Sequence, residues 1–232
     1  MNVILASTST VFGKGYLEYM KEEISGLFSN VSTVTFIPYA RPSGISHDAY
    51  TVIAKSFFDS IGKKLIGLHT APNAVEAIKN AEAVFTGGGN TFLLVKSLHD
   101  LGLMQVLAKT IEGGTPYLGT SAGTNIAGIN MQTTNDMPIV YPPSFTSMGI
   151  VPFNINPHYL DPFAGSTHMG ETRETRIKEF HTQNAIPVVG LREGSWIRLI
   201  ENKILLEGPH TARIFLQNKE PFELAPGSEM IF

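Results

Sequence analysis

Short apolar runs alternate with stretches of helical periodicity along the first two-thirds of the chain, and this alternation limits the fold more than any other feature. Val3–Ala6, Val34–Ile37, Leu65–Leu68, Ala83–Thr86 and Pro116–Gly119 are runs of strand length. Between them, Leu17, Met20, Ile24 and Leu27 fall at helical spacing, and Ile53, Phe57 and Ile61 place a stripe on a second helix. A short helix is expected over 72–80, then a helical pair over 91–113 broken near Gly102. Repeated strand–helix units of this length require right-handed crossovers between parallel strands. The expected fold is therefore three-layer α/β, a mostly parallel central sheet flanked by helices. A composition of 43% hydrophobic and 16% charged residues suits strands covered on both faces.

Beyond about residue 186 the texture changes. Pro187–Leu191, Ser195–Ile200, Lys203–Glu207, Ala212–Leu216 and Pro221–Leu224 read as strands joined by tight turns, Glu201-Asn202 among them. They are expected as antiparallel additions closing one edge of the sheet. No linker, repeat or low-complexity segment interrupts the 232 residues, so residues 1–232 are expected to form one domain.

A net charge of −3 without any basic block leaves no electrostatic footprint for nucleic acid. With no cysteine, disulfides, thiolate zinc sites and a cysteine nucleophile are excluded. The first six residues carry no basic leader, and no stretch approaches the roughly 20 apolar residues of a membrane span. A soluble cytoplasmic protein without membrane partner is the expectation.

Gly119-Thr120-Ser121-Ala122-Gly123 fits G-x-S-x-G, follows the apolar Tyr117-Leu118 and precedes a segment able to open a helix. Small neighbours let a strained serine stand clear of a strand-to-helix turn, and a helix N-terminus aims amides at a developing oxyanion. The same residues also fit a glycine-rich turn with a capping serine. A serine hydroxyl needs a base, and seven histidines are available. His158 follows the apolar run Ile150–Ile155 and a rigidifying Pro157, at the end of an expected strand, where doubly wound sheets present ligands. His47, His168 and His210 lie in turn-rich stretches, His69 ends a strand, and His99 and His181 sit in helical patterns. Two carboxylates fit the role of orienting the base: Asp136, in a polar turn soon after the elbow, and Glu193, just beyond a late strand. The residues alone leave both open. Gly87-Gly88-Gly89 follows a strand and opens a helix, which suits a second oxyanion donor first, and otherwise a phosphate cradle or a purely structural turn. It lacks the spacing of a P-loop or a dinucleotide fingerprint.

Seven stretches in order resemble peptidase E, the α-aspartyl dipeptidase family. They are Phe36-Ile37-Pro38-Tyr39-Ala40, Gly87-Gly88-Gly89-Asn90-Thr91-Phe92, Gly119-Thr120-Ser121-Ala122-Gly123, Thr133-Thr134-Asn135-Asp136-Met137-Pro138, Ile155-Asn156-Pro157-His158, Gly170-Glu171-Thr172-Arg173 and Glu193-Gly194-Ser195-Trp196. The resemblance implies a fold related to class I glutamine amidotransferase-like domains and a hydrolase that cleaves dipeptides with an N-terminal aspartate, without metal or other cofactor. It implies Ser121 as nucleophile, His158 as base and Asp136 in the charge-relay role, with Glu193 kept as a supporting, substrate-binding residue. Gly88 and Ala122 are expected as oxyanion donors. Arg173, near the start of a helix where it shares a face with Arg176, is expected to hold the aspartyl carboxylate. Thr120 and Ser195 stand where relatives carry Trp and Asn. Alternatives are a β-aspartyl hydrolase of the cyanophycin type and a non-catalytic anion-binding protein.

Overall fold

A computed structural model of the chain describes residues 1–42, 44–162, 165 and 170–232. The strands are β1 Val3–Ala6, β2 Thr33–Ile37, β3 Lys64–Gly67, β4 Val84–Thr86, β5 Tyr117–Thr120, β6 Asn154–Pro157, β7 Val188–Leu191, β8 Trp196–Ile200, β9 Lys203–Glu207, β10 Ala212–Phe215 and β11 Phe222–Leu224. The helices are α1 Lys21–Leu27, α2 His47–Ser60, α3 Ala74–Lys79, α4 Thr91–Asp100, α5 Met104–Glu112, α6 Ala122–Asn125 and α7 Arg173–Phe180.

The central sheet has seven strands in the order β3-β2-β4-β5-β1-β8-β9. The first five are parallel, and β8 and β9 run antiparallel at one edge. Because successive side chains alternate between faces, β1 serves two cores at once. Ile4 and Ala6 join Phe36, Phe85, Leu118 and the buried faces of α1 and α2. Val3 and Leu5 join Val84, Tyr117 and residues of α4 and α5 on the other side. Phe85 stacks on Phe36 at 4.9 Å between ring centres and meets Phe58 at 5.5 Å.

Three expectations are corrected. The late strands do not all close one edge: β8 and β9 do, but β6, β7, β10 and β11 build a second sheet, ordered β11-β10-β7-β6. One face of that sheet, through Ile155, Val189, Leu191, Ala212 and Ile214, shares the larger core. Its other face packs Tyr159, Val188 and Phe215 against Ile177 of α7. The apolar stripe of α2 is also displaced. Ile53 is 45% exposed, while Tyr50, Ala54, Phe57 and Phe58 face the sheet. Finally, the helix after the serine elbow is a single turn, α6, because Ile126 to Phe153 fold mainly as loop.

Capping explains other boundaries. Asn90 precedes α4 and accepts a hydrogen bond from the Leu93 amide, and Thr172 does the same for Thr175 at α7. Gly102, at φ 65°, makes the break between α4 and α5. Among the described residues no single helix is long and apolar enough to cross a membrane.

Candidate active site

Adjacent parallel strands β4, β5 and β1 end together, and the loops beyond them meet loops from the second sheet. Ser121 follows β5 with φ 53° and ψ −109°, a conformation an L-residue holds only when its surroundings enforce it. The enforcement is visible. Its amide donates to Ala6 O at 3.1 Å, and its own carbonyl accepts from the amides of Thr124 and Asn125. The Thr124 hydroxyl bonds Ala6 O and Gly119 O at 2.6 and 2.8 Å. A Cβ at Gly119 would lie 2.5 Å from Gly123 O, and one at Gly123 would lie 2.2 Å from Thr86 O. The motif glycines are thus steric requirements of the elbow.

His158 directly follows β6 and also has positive φ, 54°. Its Nε2 lies 2.8 Å from Ser121 Oγ, and its Nδ1 lies 2.6 Å from Glu193 Oε1. A carboxylate only accepts, so the network assigns the proton to Nδ1 and leaves Nε2 to accept from the serine. Glu193 stands in the turn between β7 and β8, where Gly194 takes φ 90°. Ser121, His158 and Glu193 therefore form one continuous hydrogen-bonded chain.

The expected place of Asp136 against the base is corrected by its bonds. Its Oδ2 accepts from the Thr91 amide at 2.7 Å and the Thr134 hydroxyl at 3.1 Å, at the start of α4. Asp136 still lines the narrow cleft that contains Ser121, Asn125 and His158. The carboxylate on the imidazole is Glu193.

A Cβ at Gly88 would come within 2.9 Å of Ser121 Cβ, so only glycine lets this loop pass the serine so closely. The Gly88 carbonyl accepts from the buried Tyr50 hydroxyl at 3.2 Å, which fixes the peptide plane on its far side. Among the described residues, the amides of Gly88 and Ala122 donate to no protein acceptor. With α6 only four residues long, these local N–H groups rather than a helix dipole are the available donors.

Beside the imidazole opens a pocket of about 350 Å³, lined by His158, Tyr159, Arg173, Arg192, Glu193 and others. Arg173 is the first residue of α7, and its buried Nη1 has no hydrogen-bond partner among the described residues. Burial lowers its pKa, opposed by the charge of Glu193. The Tyr159 hydroxyl is likewise buried and without a partner among the described residues, and burial pushes its pKa up to about 12. The same pocket is lined by the carboxylates of Asp161 and Glu193. Arg176, by contrast, is exposed beside Glu171 at 3.8 Å.

The remaining histidines make other contacts, although His210 also lines the pocket beside His158. His69 pairs with Asp48, His99 reaches Thr146 O, His181 reaches Ile186 O, and the His210 amide bonds Ser195 Oγ. His47 packs near His69, and His168 falls outside the described residues. Sequence reading missed Ser7, Tyr50 and Tyr159. The polar run Ser7-Thr8-Ser9-Thr10, immediately after the first strand, was the signal for the first of these.

Comparison with known proteins shows the family of the chain. The model of peptidase family S51 matches residues 3–206. Peptidase E of Streptomyces coelicolor is 46% identical over 230 residues, covering 99% of this chain and 93% of the relative. The probable alpha-aspartyl dipeptidase of Drosophila melanogaster is 45% identical over 234 residues, covering 100% of this chain and 96% of the relative. Among solved structures, a peptidase from an acI-B1 Actinobacterium superposes with a TM-score of 0.73 at 17% identity, over 100% of this chain and 96% of that one. A peptidase E protein from Listeria monocytogenes gives 0.67 at 21% identity, over 90% and 98%. The two structural likenesses concern the fold.

Proposed function

The chain belongs to peptidase family S51 and is a serine-type dipeptidase, and on that premise we propose that Ser121, His158 and Glu193 together hydrolyse Asp-X dipeptides. The observation that carries this reading is the unbroken chain from Ser121 Oγ through His158 to Glu193, at 2.8 and 2.6 Å. His158 Nε2 removes the hydroxyl proton as Oγ attacks the aspartyl α-carbonyl, and Glu193 stabilises the imidazolium that forms. The amides of Gly88 and Ala122 receive the oxyanion. His158 then protonates the departing amine. A water, deprotonated in turn by His158, releases aspartate and restores the serine.

Substrate selection follows from charge. The aspartyl side-chain carboxylate fits the Arg173 guanidinium and the Tyr159 hydroxyl, both at the pocket beside His158. The α-ammonium of the substrate needs an anion, and Asp136 is the carboxylate lining the cleft on the serine side. Recognition of the α-ammonium together with the side-chain carboxylate restricts cleavage to the bond after an N-terminal aspartate. A single-domain organisation and a cytoplasmic location belong to the same proposal.

Ser121→Ala tests it. Turnover of Asp-X by the folded variant is expected to drop by about 10³-fold or more, to the residual level left by binding alone. Substantial hydrolysis by the folded variant would reject the assignment.

A further inference from the structure

The geometry points to Ser7 as a positioning residue for the catalytic base, acting through the backbone of His158 rather than on the substrate; the inference rests on the reading just given for Ser121 and His158. Ser7 directly follows β1 and is wholly buried. Its hydroxyl accepts from the His158 amide at 2.8 Å and donates to Leu191 O, also at 2.8 Å. Its own amide donates to Ser195 O at 3.1 Å.

Those bonds join everything the chemistry needs. Ala6, the preceding residue, accepts through its carbonyl the Ser121 amide and the Thr124 hydroxyl, which hold the nucleophile elbow. Leu191 ends β7, two residues before Glu193, and its carbonyl also takes the Tyr159 amide at 3.0 Å. The dipeptide Ala6-Ser7 therefore ties the elbow after the central sheet, which carries Ser121, to His158 at the end of the second sheet. It does so beside the bond from Asn125 Nδ2 to Ile155 O at 3.0 Å, with Glu193 in the turn that joins the two sheets. The need for such a tie is physical. His158 sits at φ 54°, a conformation that a β-carbon disfavours, and its side chain is 36% exposed. Backbone bonds rather than packing must hold the ring's origin. Ser7 supplies the one side-chain bond to the His158 amide among the described residues.

Removing the hydroxyl leaves that amide and Leu191 O with fewer partners and frees the base to drift from Oγ. Displacement on the order of 1 Å costs about 10²-fold in rate where the reacting atoms must be in line. The experiment compares the parent with Ser7→Ala and Ser7→Thr. It measures kcat and KM on Asp-X, the rate of Ser121 phosphonylation by a small fluorophosphonate, the low-field proton resonance of the His158–Glu193 bond, and thermal stability. In folded Ser7→Ala, kcat is expected to fall about 10- to 100-fold with KM within about threefold. Phosphonylation should slow in parallel and the low-field resonance should shift or broaden. Ser7→Thr, which keeps the hydroxyl, should recover most of the lost rate.

Parent-like kcat and an unmoved resonance in folded Ser7→Ala would overturn the inference, as would a loss confined to KM. If Ser7→Ala does not fold, Ser7→Cys takes its place, filling the same space with a weaker donor and acceptor, and parent-like kcat there is equally fatal. Phosphonylation and the resonance need no Asp-X turnover. A parent that fails to cleave Asp-X therefore sinks the substrate reading while these two readouts still decide the role of Ser7.

Discussion

Glu193 accepts the Nδ1 proton of His158 while its own side chain is 54% exposed. Water competes for this carboxylate, so it acts less through a buried charge than by selecting the tautomer. Glu193→Gln turns one acceptor into a donor able to stabilise the wrong tautomer. We expect kcat on Asp-X to fall by about 10²- to 10⁴-fold with little change in KM, measured by steady-state kinetics. Asp136 calls for a different experiment. Succinyl-X is Asp-X without the α-amino group. If Asp136 holds the ammonium, Asp136→Asn should lower kcat/KM on Asp-X by about 10- to 100-fold and leave succinyl-X nearly unchanged. Equal losses on both substrates would make Asp136 only a cap for α4. Choosing between these two carboxylates was beyond the sequence because both sit in polar turns. The deciding contact joins residues 35 positions apart.

Among the elements, the elbow shows what a short motif encodes. Gly119 and Gly123 face each other across the turn with no room for a methyl group. Gly123→Ala is expected to destabilise the protein by about 1–3 kcal/mol and to lower activity by more than stability alone explains, since relief requires moving Ser121. Denaturant unfolding alongside kcat on the folded fraction checks both parts. Legibility followed the same local logic. Val3–Ala6 and Lys203–Glu207 match the expected strands residue for residue, and Glu201-Asn202 forms a tight turn with φ of 49° and 64°. Such elements are written in neighbouring residues. The stripe on α2 was misplaced because an exposed isoleucine, Ile53, fits a helical period as well as a buried one.

Across the whole molecule, the second sheet was the unreadable part. Periodicity reports that a strand has an apolar face but not which strand lies beside it, and β6 and β7 pair in parallel from segments 34 residues apart. That sheet is laced on one side by charge. Arg192 binds Asp161 through Nε and Nη2, both at 2.8 Å, and Glu223 through Nη1 at 2.8 Å. The guanidinium holds both carboxyls below their ordinary values of 3.8 and 4.5. Groups with a depressed folded pKa contribute stability above the ordinary value and lose it as pH falls through the folded one. The two carboxylates are 53% and 40% exposed, so the contribution is small, within about 1 kcal/mol for each pair. The Tm advantage of the parent over Arg192→Ala should therefore be full near pH 6 and shrink as pH drops below about 4.5. A constant difference down to pH 3 would deny the pairs that role.

Ser121 rides on one sheet and His158 on the other, and Glu193 sits in the turn that joins them. Catalysis thus doubles as a strain gauge for the joint. A slip of a fraction of an ångström between the layers parts the oxygen from the nitrogen while every strand keeps its neighbours. Inactivation by mild perturbants then precedes melting, and the enzyme falls silent while still looking native by its backbone spectrum.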